Sequence, residues 1–434
     1  MTINLKNFLN PKNKLSKMRD FQDLDHLNGL SISAVSADLY ENMARDDLTL
    51  FYFNDGAKYA SLYTKNKIVS ENIKYNQKIK NRYIKALLVN TKNANCFNNN
   101  GFDALVQLSK HLSKELTLRA SRSDVGTNDT VKPNEILFAC TGVIGEAFPT
   151  EKIKNQIPYL VEKLKTVQNK HVWVKAANAI MTTDLKPKLA FEECKIGEKE
   201  VKLYGIAKGS GMIAPNMGTM LAFIFTDADI STSILKDLLR KNVNTTFNAI
   251  TVDNDTSTND MISIFSTGQV KNSKIYNLLD PKIQNFNKSL NKIMLNLAKQ
   301  IVKDGEGAKK FITVNVVSAK NQKSAKNIAF AIANSPLVKT AVAGEDPNWG
   351  RLIMAIGKSG EDIVQKKLNI KFGNLSVIVN GKIIPNYDES IVKEYMEWDS
   401  CEINIEINMG EGSFTVYTCD FTKDYIDINA DYRN

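Results

Sequence analysis

Residues 208–229, KGSGMIAPNMGTMLAFIFTDAD, set the firmest limit on what this chain can fold into. Gly209, Gly211, Pro215 and Gly218 break any regular element through the first half of the stretch. From Met220 to Phe225 every residue is apolar, a short run that reads as a buried core strand. Such a strand needs cover from other elements, so the remaining sequence must supply packed layers. Thr219 stands where the loop stops and the strand begins.

The rest of the chain offers that cover. DLTLFYF and YIKALLVN read as buried strands, and Leu105, Leu108, Leu112 and Leu116 repeat at helical spacing. Thr150 is the expected N-cap of a helix whose apolar face is Ile153, Ile157, Leu160, Val161 and Leu164. NEILFAC is a strand entering a glycine-punctuated loop, and SILKDLLRKNV is helical. A long helix is expected after Asp280 (N-cap) and Pro281 (N1), with Gly305 past its end. KKFITVNVVSA is a strand and SAKNIAFAIAN a helix. LSVIVNGKII predicts a hairpin around Asn380-Gly381. CEINIEINMGEGSFTVYTC alternates polar and apolar residues on both sides of a glycine-bearing turn. The fold class is α/β or mixed α+β, with layered sheets covered by helices. The first 20 or so residues are polar and expected to be loosely ordered.

Composition excludes several classes. No apolar stretch is long enough for a membrane helix, and the basic N-terminus lacks the apolar core of a secretory signal, so a cytoplasmic protein without membrane partners is expected. A net charge of +10 raises nucleic acid as a partner, yet the cations are mostly lysines scattered among asparagines rather than an arginine patch with aromatics. No nucleic-acid partner is expected, and a basic face that attracts small anions fits equally well. Five cysteines without a CxxC pair give neither a disulfide framework nor a zinc site. His26, His111 and His171 stand apart from any metal-binding pattern, so no metal is expected.

Five stretches could carry chemistry. Thr219 would become a nucleophile if the chain broke before it, because its own α-amine could then act as base. Gly218 offers little hindrance to attack on its carbonyl, although Thr219 could equally be the plain start of a core strand after a turn. Thr141-Gly142, in CTGVIGE, follow a buried strand and could aim backbone N–H groups at an anion, or form only a turn. Thr182, Thr183, Asp184, Lys186 and Lys188 suit a polar small molecule or a capped loop. VDNDTSTND (252–260) lacks the order of a calcium loop and reads better as a hydrogen-bonded turn. In AGEDPNWGRLIMAIGKSG, Trp349 and Arg351 sit among turn formers, where they could bind a ligand or lock a turn.

Together these stretches resemble the ornithine acetyltransferase family of arginine biosynthesis, from about residue 29 to the end. The motifs in order are TGVIGE, AIMTTD.KPK, AKGSGMIAPNMGTMLAFIFTDA, FNAITVDNDTSTNDM, QIVKDGEGAKKFI, AVAGEDPNWGRLIMAIG and NADYR. The resemblance implies an ornithine acetyltransferase/DmpA-like fold, self-cleaved between Gly218 and Thr219 into an α chain (1–218) and a β chain (219–434). These are expected to assemble as an α2β2 heterotetramer. It implies transfer of the acetyl group of N2-acetyl-L-ornithine to L-glutamate through an acetyl-Thr219 intermediate. No cofactor is implied, and acetyl-CoA is a candidate second acetyl donor. Thr141 and Gly142 match the oxyanion hole. Thr182 or Thr183, Lys208, Thr219, Glu306, Asn429 and the terminal Asn434 match substrate-contacting positions. By charge, Lys208 suits a substrate carboxylate and Glu306 the amine of ornithine.

The chain departs from the family pattern in three places. Gly218 replaces the usual alanine, Asn434 the usual threonine or serine, and Thr91-Lys92 the usual Ser-Gly. The alternative is a self-cleaving N-terminal-nucleophile amidohydrolase or aminopeptidase of related fold, which would give the acyl group to water.

Overall fold

The computed structural model describes residues 24–41, 43–122, 130–214 and 220–430. Of these, 24–209, 220–244 and 256–297 form one compact unit, and 210–214, 245–255 and 298–430 another.

The first unit is built on an eight-stranded sheet. Its strands are β1 (Leu30–Val35), β2 (Leu48–Tyr63), β3 (Tyr83–Asn90), β4 (Ile136–Cys140), β5 (Lys188–Ile196), β6 (Lys199–Lys208), β7 (Leu221–Thr226) and β8 (Met261–Ser266). The order is β4-β3-β2-β8-β7-β6-β5, with β1 beside the first half of β2. The pairs β3–β4 and β7–β8 are parallel. The register sets Phe225 level with Phe265, and Phe265 level with Tyr59, far along β2 from Phe51. In a flat sheet Phe51 and Phe225 could not meet, yet their ring centroids are 4.9 Å apart. The sheet therefore doubles over, and the irregularity in β2 between Tyr52 and Ala57 is where it turns. The buried apolar run expected at Met220–Phe225 is the inner strand β7, packed face to face with β2 and β3.

Helices α1 (Glu71–Lys78), α2 (Gly101–Ser121), α3 (Thr150–Glu162), α4 (Lys170–Ala179), α5 (Thr232–Val243) and α6 (Gln284–Lys303) follow. Leu105, Leu108, Leu112 and Leu116 of α2 share a core with Leu50, Leu88 and Phe138. In α4, Trp173 stacks on Tyr204 of β6 at 4.9 Å. Thr150 is the first residue of α3 rather than its cap, since Pro149 holds the cap position with no side-chain bond. Before α6, Asp280 caps as expected, its carboxylate accepting the Lys282 N–H at 3.0 Å.

The second unit holds a six-stranded sheet of order β12-β11-β10-β13-β9-β14. These are β9 (Phe311–Ala319), β10 (Asn369–Phe372), β11 (Leu375–Val379), β12 (Lys382–Ile383), β13 (Ser400–Glu406) and β14 (Gly412–Cys419). The helices are α7 (Gln322–Ala333), α8 (Pro336–Ala343), α9 (Trp349–Gly357), α10 (Glu389–Met396) and α11 (Lys423–Ala430). The hairpin at Asn380-Gly381 is present, with both residues at positive φ (50° and 71°) as a two-residue turn requires. The alternating strands β13 and β14 do not pair with each other, because β9 lies between them. Trp349 and Arg351 open helix α9 instead of lying in a loop. Asn348 caps that helix, and the Arg351 guanidinium donates to the Leu337 carbonyl at 2.7 Å. Among the described residues no helix is long and apolar enough to cross a membrane.

Candidate active site

Folding the sheet over itself brings the loop after β4 above the end of β6. Lys208, the last residue of β6, points its ammonium at Thr182 Oγ1 (2.8 Å) and Thr141 Oγ1 (3.2 Å). An ammonium can only donate, so both hydroxyl oxygens accept and each keeps its own proton for another acceptor. The Thr141 N–H is already engaged with the Asn90 carbonyl at 3.1 Å, which leaves the hydroxyl as its available donor. Thr182, rather than Thr183, is the residue of that pair whose hydroxyl meets Lys208.

Gly142 is fixed by space as well as by conformation. Its φ is 135°, and a Cβ there would lie 2.1 Å from the carbonyl carbon of Lys92. The Lys92 carbonyl also accepts the Val143 N–H at 2.9 Å, so the 91–92 loop braces the Thr141-Gly142 turn. Lys92 itself sits at φ 69°, a left-handed conformation costing a non-glycine residue about 1–2 kcal/mol. Glycine would adopt this conformation without that cost. Asn259 tethers the same turn from the other side, donating to the carbonyls of Ala94 (2.5 Å) and Cys140 (2.9 Å).

Beneath Lys208 lies Asp184, fully buried. Its carboxylate accepts from Lys188 Nζ (2.6 Å), from the Gly209 N–H (2.6 Å) and from the Thr182 N–H (3.1 Å). Burial alone would raise its pKa. The charges of Lys188 and Lys208, with the hydrogen bonds from Lys188 and Gly209, outweigh burial and hold the carboxyl below the usual carboxylate range.

Asp260, just ahead of β8, has the opposite setting. It is buried, and neither oxygen completes a hydrogen bond, although Thr64 and the Met220 N–H lean toward it. Burial raises its pKa well above the ordinary value, against smaller lowering effects from Met220, Thr64 and Lys208. The native state thus holds this proton more tightly than the unfolded chain does. Its stabilising effect is complete below the unfolded pKa of about 4 and is lost as pH rises through the higher folded value. Asp260→Asn cannot ionise. Its urea midpoint, relative to the parent, is expected to rise as pH climbs above about 4. A constant difference across that range would count against the protonated state.

In the second unit, residues 210–213 are tied to the Asp253 carboxylate and to the backbone of Glu306. The Met212 and Ile213 N–H groups donate to Asp253 at 2.5 and 2.8 Å, and the Glu306 N–H donates to the Ser210 carbonyl at 3.0 Å. The 252–260 stretch thus supplies a hydrogen-bonded turn at Asp253 and a buried acid at Asp260. Among the described residues no cluster of His, Cys, Asp and Glu is arranged to hold a metal ion. Glu306 Oε2 accepts from Asn429 Nδ2 at 2.9 Å, so these two expected substrate contacts meet. Gly211 lies against them, since a Cβ there would come within 2.2 Å of Glu306 Oε2.

Thr141, Gly142, Thr182 and Lys208 therefore group in one unit, and Glu306 and Asn429 in the other. Gly218, Thr219 and Asn434 lie outside the described residues. Asp184 and Lys188 were legible as charges in a polar loop, but not as a buried pair. Neither Asp260 nor Asn259 carried a sequence signal of its own.

Residues 31–434 match the ArgJ family. The arginine biosynthesis bifunctional protein ArgJ of Rhizobium meliloti is 40% identical over 422 residues, spanning 96% of this chain and 98% of that protein. The protein of the same name from Mesorhizobium japonicum is 42% identical over 413 residues, spanning 94% of this chain and 96% of that one. Among solved structures, the arginine biosynthesis bifunctional protein argJ of Bacillus halodurans is 40% identical with a TM-score of 0.47. That match covers 49% of this chain and 99% of that one.

Proposed function

The chain belongs to the ArgJ family, and from this premise we propose that it transfers the acetyl group of N2-acetyl-L-ornithine to L-glutamate, yielding L-ornithine and N-acetyl-L-glutamate. The observation that carries the reading is the Lys208 ammonium seated on the hydroxyls of Thr141 and Thr182. It is a fixed cation beside a hydroxyl donor, which suits a substrate carrying both a carboxylate and an acyl carbonyl.

In the proposed mechanism the precursor cleaves itself between Gly218 and Thr219, freeing the Thr219 α-amine. An α-amine has a pKa of about 8 and can accept the hydroxyl proton as Oγ attacks the acetyl carbonyl. The Thr141 hydroxyl and the Gly142 N–H receive the oxyanion, each such donor contributing about 3–4 kcal/mol in comparable sites. Lys208 holds the substrate carboxylate, and Glu306, with Asn429, takes the side-chain amine of ornithine. The α-amine returns its proton to the departing N2 nitrogen, which leaves acetyl-Thr219. The amine of glutamate then attacks this ester, and the oxygen of Thr219 regains its proton. Each step moves an acyl group or a proton, so the scheme calls for no cofactor. The relatives' designation as bifunctional supports a second donor, acetyl-CoA, serving the same threonine. An α2β2 assembly of cleaved chains in the cytoplasm completes the proposal.

The test is direct. With N2-acetyl-L-ornithine present, adding L-glutamate should produce N-acetyl-L-glutamate in step with ornithine, and release free acetate only slowly. Acetate matching ornithine whatever the glutamate concentration would favour the amidohydrolase alternative.

A further inference from the structure

Gly209 and Gly211 are glycines for different reasons. Gly209 has a φ of 139°, which other residues rarely adopt, whereas the backbone at Gly211 is not left-handed and would accept alanine. Space is what bars a side chain at 211. A Cβ there would lie 2.2, 2.4 and 2.6 Å from Oε2, Cδ and Oε1 of Glu306, its three nearest atoms. The missing side chain therefore makes room for one carboxylate. Neither backbone can step back to relieve such a contact. The Ser210 carbonyl accepts the Glu306 N–H at 3.0 Å, and the Met212 and Ile213 N–H groups are bound to Asp253. On the other side, a Cβ at Gly305 would lie 2.9 Å from Cys419 Sγ, and one at Gly307 would lie 2.5 Å from the Tyr425 nitrogen. Glu306 is thus wedged between two tightly packed glycines, and its side chain is the part that can turn. Asn429 Nδ2 steadies that side chain through Oε2 and also donates to the Tyr425 carbonyl, both at 2.9 Å. The bond to Asn429 uses one of about four acceptor positions on a carboxylate.

We propose that Gly211 determines specificity for the acetyl donor: by carrying no side chain, it lets the Glu306 carboxylate stand where it meets Asn429 and the side-chain ammonium of N2-acetyl-L-ornithine. This rests on the acetyl-transfer reading, in which Glu306 takes that amine. A methyl group at 211 turns the carboxylate aside. Only a donor with a cationic side chain then loses a partner.

Steady-state kinetics on the full-length enzyme test this with two donors and L-glutamate as acceptor. The second donor, N2-acetyl-L-norvaline, has the carbon chain of the first without its terminal amine. In Gly211→Ala the kcat/KM for N2-acetyl-L-ornithine should fall about tenfold or more, and that for the norvaline donor by less than about threefold. Glu306→Ala should lower the ratio of the two donors as well. Gly211→Ala joined to Glu306→Ala should lower it no further, because the methyl group then has no carboxylate to displace. A parental ratio in Gly211→Ala, equal losses for both donors, or losses that multiply in the double variant would overturn the proposal. If Gly211→Ala gives no active enzyme, the double variant decides. Activity with the donor ratio of Glu306→Ala upholds the proposal, and an inactive enzyme or a lower ratio overturns it. A Glu306→Ala enzyme with the parent's ratio would instead defeat the underlying reading of Glu306, and that result needs no change at Gly211.

Discussion

Thr219→Ala is expected to leave one uncut chain of 48.5 kDa and to remove acetyl transfer, where the parent yields two fragments of near-equal mass, the second beginning at Thr219. One substitution removes two things: the hydroxyl that attacks the Gly218 carbonyl, and the hydroxyl that carries the acetyl group. Without cleavage there is also no α-amine to act as base. Removing a nucleophile that works as a unit with its base costs roughly four or more orders of magnitude in kcat. Thr219→Ser is the informative partner, because it keeps a hydroxyl and should retain both cleavage and activity. Gly218→Ala adds only a methyl group ahead of the scissile bond and is expected to cleave as well. Intact mass under denaturing conditions reads all of these. An alanine variant that still splits at 218/219 would mean that another group performs the cleavage.

Asp184→Ala carries the largest expected effect on stability. Truncation removes the carboxylate that lies 2.6 Å from the buried Lys188 and 3.9 Å from Lys208, and strips the Gly209 and Thr182 N–H groups of their acceptor. Breaking a buried ion pair from one side costs about 3–5 kcal/mol. Asp184 is held below its ordinary pKa, so its contribution is present above the unfolded pKa of about 4 and is lost as pH falls through the lower folded value. The stability gap between parent and variant should therefore be wide at about pH 7 and shrink in acid. Asp260 has the opposite sign, so the two aspartates can be separated by pH alone. Urea unfolding across that range measures both. A gap that persists undiminished below about pH 3 would assign the effect to packing instead of charge.

The contrast between these residues shows where sequence reasoning held and where it could not reach. Periodicity sufficed for α2, whose four leucines fall on one buried face, and for β7, whose apolar run has no polar interruption. Local chemistry sufficed for the Asp280 cap and the Asn380-Gly381 turn, because both depend on backbone geometry within a few residues. It misplaced the cap at Thr150 by one residue, and it read Trp349 and Arg351 as loop because the turn formers Asp346, Pro347 and Asn348 precede them. Placing β9 between β13 and β14 is a long-range pairing that alternation cannot encode.

The candidate site divides in the same way. Thr141, Lys208 and Glu306 stood in recognisable motifs, whereas Asp260 looks no different in sequence from Asp253 or Asp255. Its neighbours in the fold, not in the chain, bury it. Lys188 is likewise one lysine among many until β5 carries it against Asp184.

The proposed mechanism requires Thr219 to bear the acetyl group between donor and acceptor. Enzyme mixed with N2-acetyl-L-ornithine in the absence of glutamate, quenched in acid and digested, should yield the peptide beginning at Thr219 heavier by one acetyl group. The added group should be labile to hydroxylamine, as an ester is, and should disappear on addition of L-glutamate as N-acetyl-L-glutamate forms. Transfer that proceeds while this peptide stays unmodified, or while the acetyl group is found on another residue, would contradict the mechanism.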